Sequence, residues 1–365
     1  MRREFGMSMA LLAMCLALFV SNPDFLGQSN AINTLRQISM LGVFAIGIGF
    51  VIITGGIDLS IGSVIGLTGV LIAKLSSTSS GGMALSLWIG IPVAVGVALA
   101  IGVIQGLLIT RLRLQPFIVT LGGMLLIRGV SQTVADGGTI SLGGSPLLDL
   151  ANGGFLLVGG QPLIPYPLLI FLAVVGIGTY VLHFTVFGRY VYAIGGNRDA
   201  AEYSGINVRR IEASTYIISA GTAGIAGICY AAYIGQMSQQ VGVAYELYAI
   251  AAAVLGGCSL RGGEGTVLGI VIGSAVMRVI DNGINMFQLG YRDPDGVNRI
   301  WRLNPNWTFI IIGGVILVAV ILDQTVHLVQ QKRRIRAAAA GSAPPTAAGA
   351  VVAAADVSAK KPADT

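Results

Sequence analysis

Long apolar stretches separated by short polar segments dominate the hydrophobic pattern of the chain. A transmembrane helix needs about 20 apolar residues to cross a hydrocarbon core of about 30 Å. The pattern predicts membrane segments at residues 7–20, 38–54, 57–75, 83–109, 117–135, 163–182, 211–235, 247–257, 267–287 and 307–326. Segments 7–20 and 247–257 are short for a full crossing, and 38–75 is nearly continuous. We therefore expect an all-α, polytopic transmembrane bundle of about 8–10 spans with broken helices.

The composition supports a membrane protein and excludes several other classes. Of 365 residues, 54% are hydrophobic and only 10% are charged, whereas soluble domains carry about 25% charged residues. So few charges cannot cover a soluble globule of this size, and a disordered chain, a collagen and a disulfide scaffold are excluded as well. The three cysteines are expected to be buried thiols, and no metal-binding or cofactor-binding spacing is present.

The basic residues lie between the apolar segments, where cytoplasmic loops of membrane proteins concentrate Lys and Arg. They cluster at the N-terminus, in loop 110–116, in loop 183–210 and at 332–336. This pattern predicts that both termini and the loop 188–210 are cytoplasmic, and it accounts for the net charge of +6 without a nucleic-acid partner. One segment disagrees with the rule: 290–306 carries three arginines but is placed outside. Either the count of spans is off by one, or this segment is a folded external insertion.

Two domains follow from this organisation. Residues 1–336 are expected to form the transmembrane domain. The first apolar segment could also be a signal peptide, but no small-residue cleavage site follows it, so we expect it to remain as a helix. Residues 337–365 are rich in Ala and contain Pro without amphipathic periodicity, which is typical of a disordered tail.

A weak sequence similarity between two parts of the chain predicts two pseudo-repeated halves. Gly55 and Gly56, and later Gly256 and Gly257, each begin a Gly-Gly-x-x-Leu sequence that precedes a glycine-striped apolar segment. Transporters are often built from two such halves, with broken helices that meet at the substrate path. The four glycines are therefore predicted to form the turns of two broken helices, with chance similarity in a Gly-rich chain as the alternative.

Polar residues inside the apolar segments are the candidates for the translocation pathway, because such groups are costly in a membrane and usually face a partner or a wet cavity. The candidates are Asp58, Ser60, Arg128, Asn282 and Asn285. For Asp58 and Ser60 the alternative is a structural cap on a new helix. For Asn282 and Asn285, which share one helical face with Arg278 and Asp281, the alternative is a polar contact between helices.

The sequence contains no grouping of residues typical of a catalytic site and no phosphate-binding loop, so we do not expect this chain to be an enzyme. The loop 188–210 instead has the features of a docking element. Asn197 is predicted to cap a short helix at 198–204, and Gly205 is predicted to end it. A short amphipathic helix that projects from a membrane domain suits the groove of a partner protein.

Three motifs in this chain resemble known permeases. The sequence Asp199-Ala200-Ala201-x-x-x-Gly205 is similar to the Glu-Ala-Ala-x-x-x-Gly signature of ATP-binding-cassette (ABC) importer permeases, with Asp in place of Glu. Residues 53–63 and 255–266, continuing to 282–285, resemble the ribose/xylose/galactose-type permeases. The resemblance covers residues 5–330, nearly all of the chain except its tail.

This resemblance implies the transmembrane subunit of an ABC importer for a monosaccharide, in a bacterial inner membrane. It implies that Asp199, Ala200, Ala201 and Gly205 couple the permease to an ATPase subunit, which binds the ATP. A sugar-binding protein, periplasmic or lipid-anchored, and a second permease copy are the further partners implied. The insertion 291–306 departs from the usual short loop, so the sugar is left open.

Two other transport functions compete with this one. An ion-coupled secondary carrier would draw on Asp58 or Asp281 for coupling, although it leaves the docking motif unexplained. A related ABC permease for a branched-chain amino acid or a signal molecule would be expected to place fixed charges in its pathway, and this chain has few.

Overall fold

The computed structural model describes residues 2–79, 82–292, 298–302, 304, 307–315, 317–318, 321 and 324–325. Residues up to 316 form one compact unit, to which the following description applies. The predicted tail 337–365 lies outside the described residues, as does the segment 332–336.

The first part of the chain forms five long or medium helices. They are α1 (Arg2–Ser21), α2 (Gln28–Ile53), α3 (Ile61–Ser76), α4 (Leu87–Arg111) and α5 (Pro116–Val134). Short elements follow: β1 (Ile140–Ser141), α6 (Leu147–Asn152), β2 (Gly154–Val158) and β3 (Gln161–Pro165). A helix α7 (Tyr166–Thr179) then continues as a π-helical turn, Tyr180–Phe184.

The remaining elements begin with two shorter helices, α8 (Val186–Gly196) and α9 (Arg198–Tyr203). The long helix α10 (Val208–Ile234) leads to β4 (Gln236–Met237), α11 (Tyr245–Leu255) and α12 (Val267–Met286). A hairpin of β5 (Gln288–Arg292) and β6 (Asn298–Arg302) comes next, and residues 307–315 are helical.

The predicted helical bundle is confirmed. Among the described residues, seven helices are long and apolar enough to cross a membrane, and α3 and α11 are shorter apolar helices. The main boundary error concerns α2, which begins at Gln28 rather than near residue 38. Polar residues such as Asn30 and Gln37 interrupt the apolar pattern in this part of the chain. The helix nevertheless includes them, because their side chains form hydrogen bonds with residues of other helices.

Helix α10 packs against α2, α3 and α4 at the centre of the unit. Small residues allow the backbones to approach closely. A Cβ atom on Gly102 of α4 would lie 2.8 Å from the Tyr216 carbonyl oxygen of α10. A Cβ atom on Gly106 would lie 2.9 Å from the Ala213 carbonyl oxygen, one turn further along. The four-residue glycine spacing of α4 therefore serves helix packing.

In the part of the chain that the structure describes, the sheets are small, two-stranded and antiparallel, with partners β1–β4, β2–β3 and β5–β6. The predicted insertion 290–306 falls mostly on the β5–β6 hairpin, whose register pairs Gln288 with Arg302. Its residues 293–297 lie outside the described residues.

Candidate functional site

The first predicted helix break is a tight turn at the end of α2. Gly55 has a left-handed φ of +85°, a conformation that glycine adopts without strain. The Gly55 N–H donates to the Ile52 carbonyl at 2.9 Å, and the Gly56 N–H donates to the Val51 carbonyl at 2.9 Å. These bonds satisfy the last carbonyls of α2 before the chain continues to α3.

Asp58 follows this turn and is fully buried. One carboxylate oxygen accepts hydrogen bonds from the Ser60 N–H at 2.9 Å and the Ser60 hydroxyl at 2.7 Å. The other oxygen accepts from the Ser219 hydroxyl of α10 at 2.7 Å. Ser60 begins α3 without a side-chain capping bond of its own. Asp58 therefore fixes the start of α3 and joins it to α10.

The second break, after α11, has the same hydrogen-bond pattern. The Gly257 N–H donates to the Val254 carbonyl and the Cys258 N–H donates to the Ala253 carbonyl, both at 2.9 Å. Gly257 has a φ of +88°. By conformation and hydrogen bonding Gly257 therefore corresponds to Gly55, whereas the Gly-Gly-x-x-Leu sequences align Gly55 with Gly256. The two turns are alike, and the sequence comparison is offset by one residue.

Both breaks contact the end of α8 through backbone atoms. The Gly263 N–H donates to the Ile53 carbonyl at 2.8 Å. A Cβ atom on Gly195 would overlap both of those atoms, and one on Gly262 would lie 2.8 Å from the Gly55 nitrogen. The Tyr192 hydroxyl of α8 donates to the Gly265 carbonyl at 2.7 Å. Burial raises the pKa of Tyr192 to about 12, so this hydroxyl keeps its proton at neutral pH.

Helix α9 forms where the sequence predicts a short docking helix. The Asn197 side chain accepts from the Ala200 N–H at 2.9 Å and caps the helix. At the other end the Gly205 N–H donates to the Glu202 carbonyl at 3.0 Å, and Gly205 has a φ of +83°. These two local predictions are confirmed. The helix α8 before it was missed, because residues 188–196 read as part of a loop.

The four predicted coupling residues divide into two groups. Ala201 is buried against Ile194 and Val208, so its side chain holds α9 to this chain and cannot itself contact a partner. Asp199 and Ala200 are exposed. Sequence reasoning missed Tyr203, whose side chain is 91% exposed on the same short helix. An aromatic residue near the end of an otherwise polar docking helix was the signal that could have revealed it.

An ion pair joins α9 to α10. The Arg198 guanidinium donates to both carboxylate oxygens of Glu212, at 2.9 and 2.8 Å. The Arg198 side chain is 49% exposed and that of Glu212 is 7% exposed. Both bonds come from one guanidinium nitrogen, Nη1, which is shared between the two carboxylate oxygens. The ion pair therefore links α9 to the beginning of α10.

A polar cavity of about 690 Å³ lies beside this ion pair. It is bounded by the first break, the segment after α4, the end of α8, and the start of α10. Its charged lining residues are Arg113, Arg198, Arg209, Arg261, Glu202 and Glu212.

The pathway candidates do not converge on one place. Asn282 exchanges two side-chain hydrogen bonds with Asn30 of α2, at 3.1 and 2.8 Å. Asn285 is exposed and donates to the Asp281 carbonyl at 2.8 Å. Arg128 is half-buried on α5, away from both of these asparagines.

Arg278 lies near the Asn282 contact and is held by several groups. It pairs with Asp281 at 3.2 Å, donates to the Tyr230 hydroxyl at 2.8 Å, and lies over the Tyr248 ring. Tyr230 and Ser219, the partner of Asp58, are eleven residues apart on α10, which is about 16 Å of helix. The Asp58 and Asn282 clusters therefore lie at different depths.

Comparisons with known proteins identify the class of this molecule. Residues 30–320 match the model of the family described as "Branched-chain amino acid transport system / permease component". The chain is 36% identical to the ribose import permease protein RbsC of Escherichia coli, over 86% of this chain and 92% of that protein. It is 34% identical to the galactose/methyl galactoside import permease protein MglC of Salmonella typhimurium, over 88% of this chain and 94% of that protein.

A third relative is the inner membrane ABC transporter permease protein YjfF of Escherichia coli, with 38% identity over 85% of this chain and 87% of that protein. No solved structure matches the chain significantly. The relatives are permeases rather than enzymes, and they align along almost the whole membrane domain. The chain therefore belongs to this permease family and is the multi-pass inner-membrane subunit of an ABC importer, with ATP hydrolysis on a separate subunit.

Proposed function

We propose that this chain forms the translocation pathway for a monosaccharide of the ribose or galactose class, which a sugar-binding protein delivers. Ribose and galactose stand in the names of relatives that align over most of its length. The family description names branched-chain amino acids, which are zwitterions. The observation that favours a neutral solute is the engagement of Asp58, Arg278 and Asp281 with partners inside the chain.

Helix α9 is the element that docks on the ATPase subunit. Its exposed residues Asp199, Ala200 and Tyr203 form the contact face, while Ala201 and Gly205 shape the helix from within. Exposed Tyr side chains often dominate the binding energy of an interface when a partner buries them. The Arg198–Glu212 pair and the glycine contacts of α8 then carry the motion to α10 and to both breaks.

The assembly contains a second copy of this chain, an ATPase subunit that binds ATP, and the sugar-binding protein. The segments with Arg111, Arg113 and α9 lie on one side of the membrane, and the basic-residue rule makes that side cytoplasmic. On this proposal both termini are cytoplasmic, which agrees with the positions of the basic segments along the chain, and the β5–β6 hairpin is external.

The experiment is ATP-dependent uptake of labelled ribose and galactose by proteoliposomes that contain the permease, its ATPase and the binding protein. Uptake of either sugar that requires ATP supports the proposal. Uptake of leucine with neither sugar transported would instead support the amino-acid alternative.

The docking face is tested by Tyr203→Ala in the same proteoliposomes. Loss of an interface anchor costs about 2 kcal/mol, so we expect docking to weaken by roughly 30-fold and uptake to fall accordingly. Tyr180→Ala is the matched control, because Tyr180 is an exposed tyrosine on the π-helical turn. Uptake by the Tyr203 variant equal to that of the control would refute the docking assignment.

A further inference from the structure

The segment between α10 and α11 runs beside α3 without forming a helix. Its strand β4 pairs with β1, and the Ser77 hydroxyl donates to the Ser141 carbonyl of β1 at 2.7 Å. The segment therefore begins level with the end of α3, which is Ser76. From there residues 238–244 form consecutive turns that lead to α11.

This segment packs against the first half of α3, far from the end of that helix at Ser76. A Cβ atom on Gly66 of α3 would lie 2.9 Å from the Val241 carbonyl oxygen. A Cβ atom on Gly242 would overlap the Gly62 carbonyl oxygen. Gly66 precedes Ser76 by ten residues, so Val241 lies about 15 Å below the end of α3. That depth is half of a hydrocarbon core of about 30 Å.

One flank of the segment is not covered by this chain. Gln240 is exposed, and the exposed fractions of Val243 and Leu247 are 40% and 46%. Irregular backbone at membrane depth does not face lipid, because lipid cannot satisfy its N–H and C=O groups. It occurs where it is buried in protein or lines a water-filled cavity.

The side chains of this segment are polar but uncharged. Ser238, Gln239 and Gln240 are consecutive, and Gln236 precedes them. A glutamine amide both donates and accepts hydrogen bonds, as a sugar hydroxyl does. Glu246 lies in the first turn of α11 but is buried against Gly62, so the exposed flank itself carries no carboxylate among these residues.

We propose that Gln240, flanked by Val243 and Leu247, lines the translocation pathway at the membrane midplane and hydrogen-bonds the hydroxyls of the passing monosaccharide. Gln240 is then a specificity-determining residue of a mid-membrane subsite. This inference rests on the proposed function, since it takes the solute to be a sugar.

The first test is the reaction of an introduced cysteine with a charged, membrane-impermeant thiol reagent. The transporter carries Cys15→Ala, and the two other native cysteines are buried. A thiol must ionise to react, and exclusion from water raises its pKa by one unit or more. We expect Gln240→Cys to react at least about tenfold faster than Leu99→Cys, whose site on α4 is 39% exposed on an apolar helix.

The second test is uptake of ribose and galactose. Removing one hydrogen bond with Gln240→Leu is expected to raise the KM of the transported sugar by about fivefold. Gln240→Asn is expected to retain most of the affinity, because its shorter amide can still hydrogen-bond the sugar.

The outcomes separate this inference from the proposed function. Absence of ATP-driven sugar uptake by the wild-type transporter would overturn the proposed function. The wild-type transporter could take up sugar while the Gln240→Cys thiol reacts no faster than the Leu99→Cys control. That result would overturn the position of Gln240 in the pathway but not the proposed function. A reactive thiol with an unchanged KM in Gln240→Leu would overturn the hydrogen-bonding role.

Discussion

Gly205 offers the sharpest test of how α9 couples to the rest of the chain. It ends α9 with a φ of +83°, and no atom lies within 4 Å of the position where a Cβ would stand. Gly205→Ala therefore introduces backbone strain without a steric clash. Gly205→Asn relieves most of that strain, because Asn tolerates the left-handed conformation better than other non-glycine residues.

The magnitude follows from the backbone conformation alone. A non-glycine residue in the left-handed region costs about 1–2 kcal/mol. That energy changes a local equilibrium by a factor of about 5–30. The two turn bonds at the end of α9, from Gly205 to Glu202 and from Ile206 to Ala201, are the contacts that strain would release. We therefore expect the last turn of α9 to unwind in a substantial fraction of Gly205→Ala molecules.

The assay is the ratio of sugar transported to ATP hydrolysed in proteoliposomes. Gly205→Ala should lower this ratio several-fold, and Gly205→Asn should restore most of it. Gly196→Ala is the matched control, because Gly196 also lies in open space but lacks the positive φ. A Gly205→Ala transporter with the wild-type ratio, and with the ATPase still bound, would refute the reasoning.

Two further predictions concern the packing of α10. Gly102→Ala should lower the free energy of unfolding in detergent by about 1–3 kcal/mol, measured by thermal unfolding. The reason is that the added Cβ atom would overpack against the α10 backbone. Gly96→Ala in the same helix has open space and should be neutral or slightly stabilising; equal behaviour of the two variants would contradict the packing account. Asp58→Ala removes the acceptor of three hydrogen bonds and should reduce expression and stability more than sugar affinity. A stable, well-expressed Asp58 variant with altered sugar selectivity would instead assign Asp58 to the pathway.

Local signals in the sequence were sufficient for much of the architecture. The apolar runs predict the helices, because a segment that crosses lipid must satisfy its own backbone hydrogen bonds. The ends of α9 follow from Asn197 and Gly205, since a cap and a left-handed stop act on their immediate neighbours. The two glycine turns follow for the same reason.

Side-chain roles within those elements needed the tertiary structure. Ala201 and Tyr203 belong to the same short helix, yet Ala201 is buried against Ile194 and Val208 while Tyr203 is almost fully exposed. Asn282 is one of several polar residues on α12, and only its contact with Asn30, 252 residues away, shows that it joins two helices. The sequence alone left packing and pathway open for this residue.

The sequence by itself determined that this chain is a membrane bundle with two glycine turns and a short helix after Asn197, because those features depend on composition and on residues close in the chain. Only the tertiary structure decided where the polar groups lie. Asp58 is held by Ser219, 161 residues away, and the turns at 238–244 pack closely against α3 because Gly62 and Gly66 leave room for their backbone. Contacts between distant segments depend on packing, which no local pattern of residues specifies.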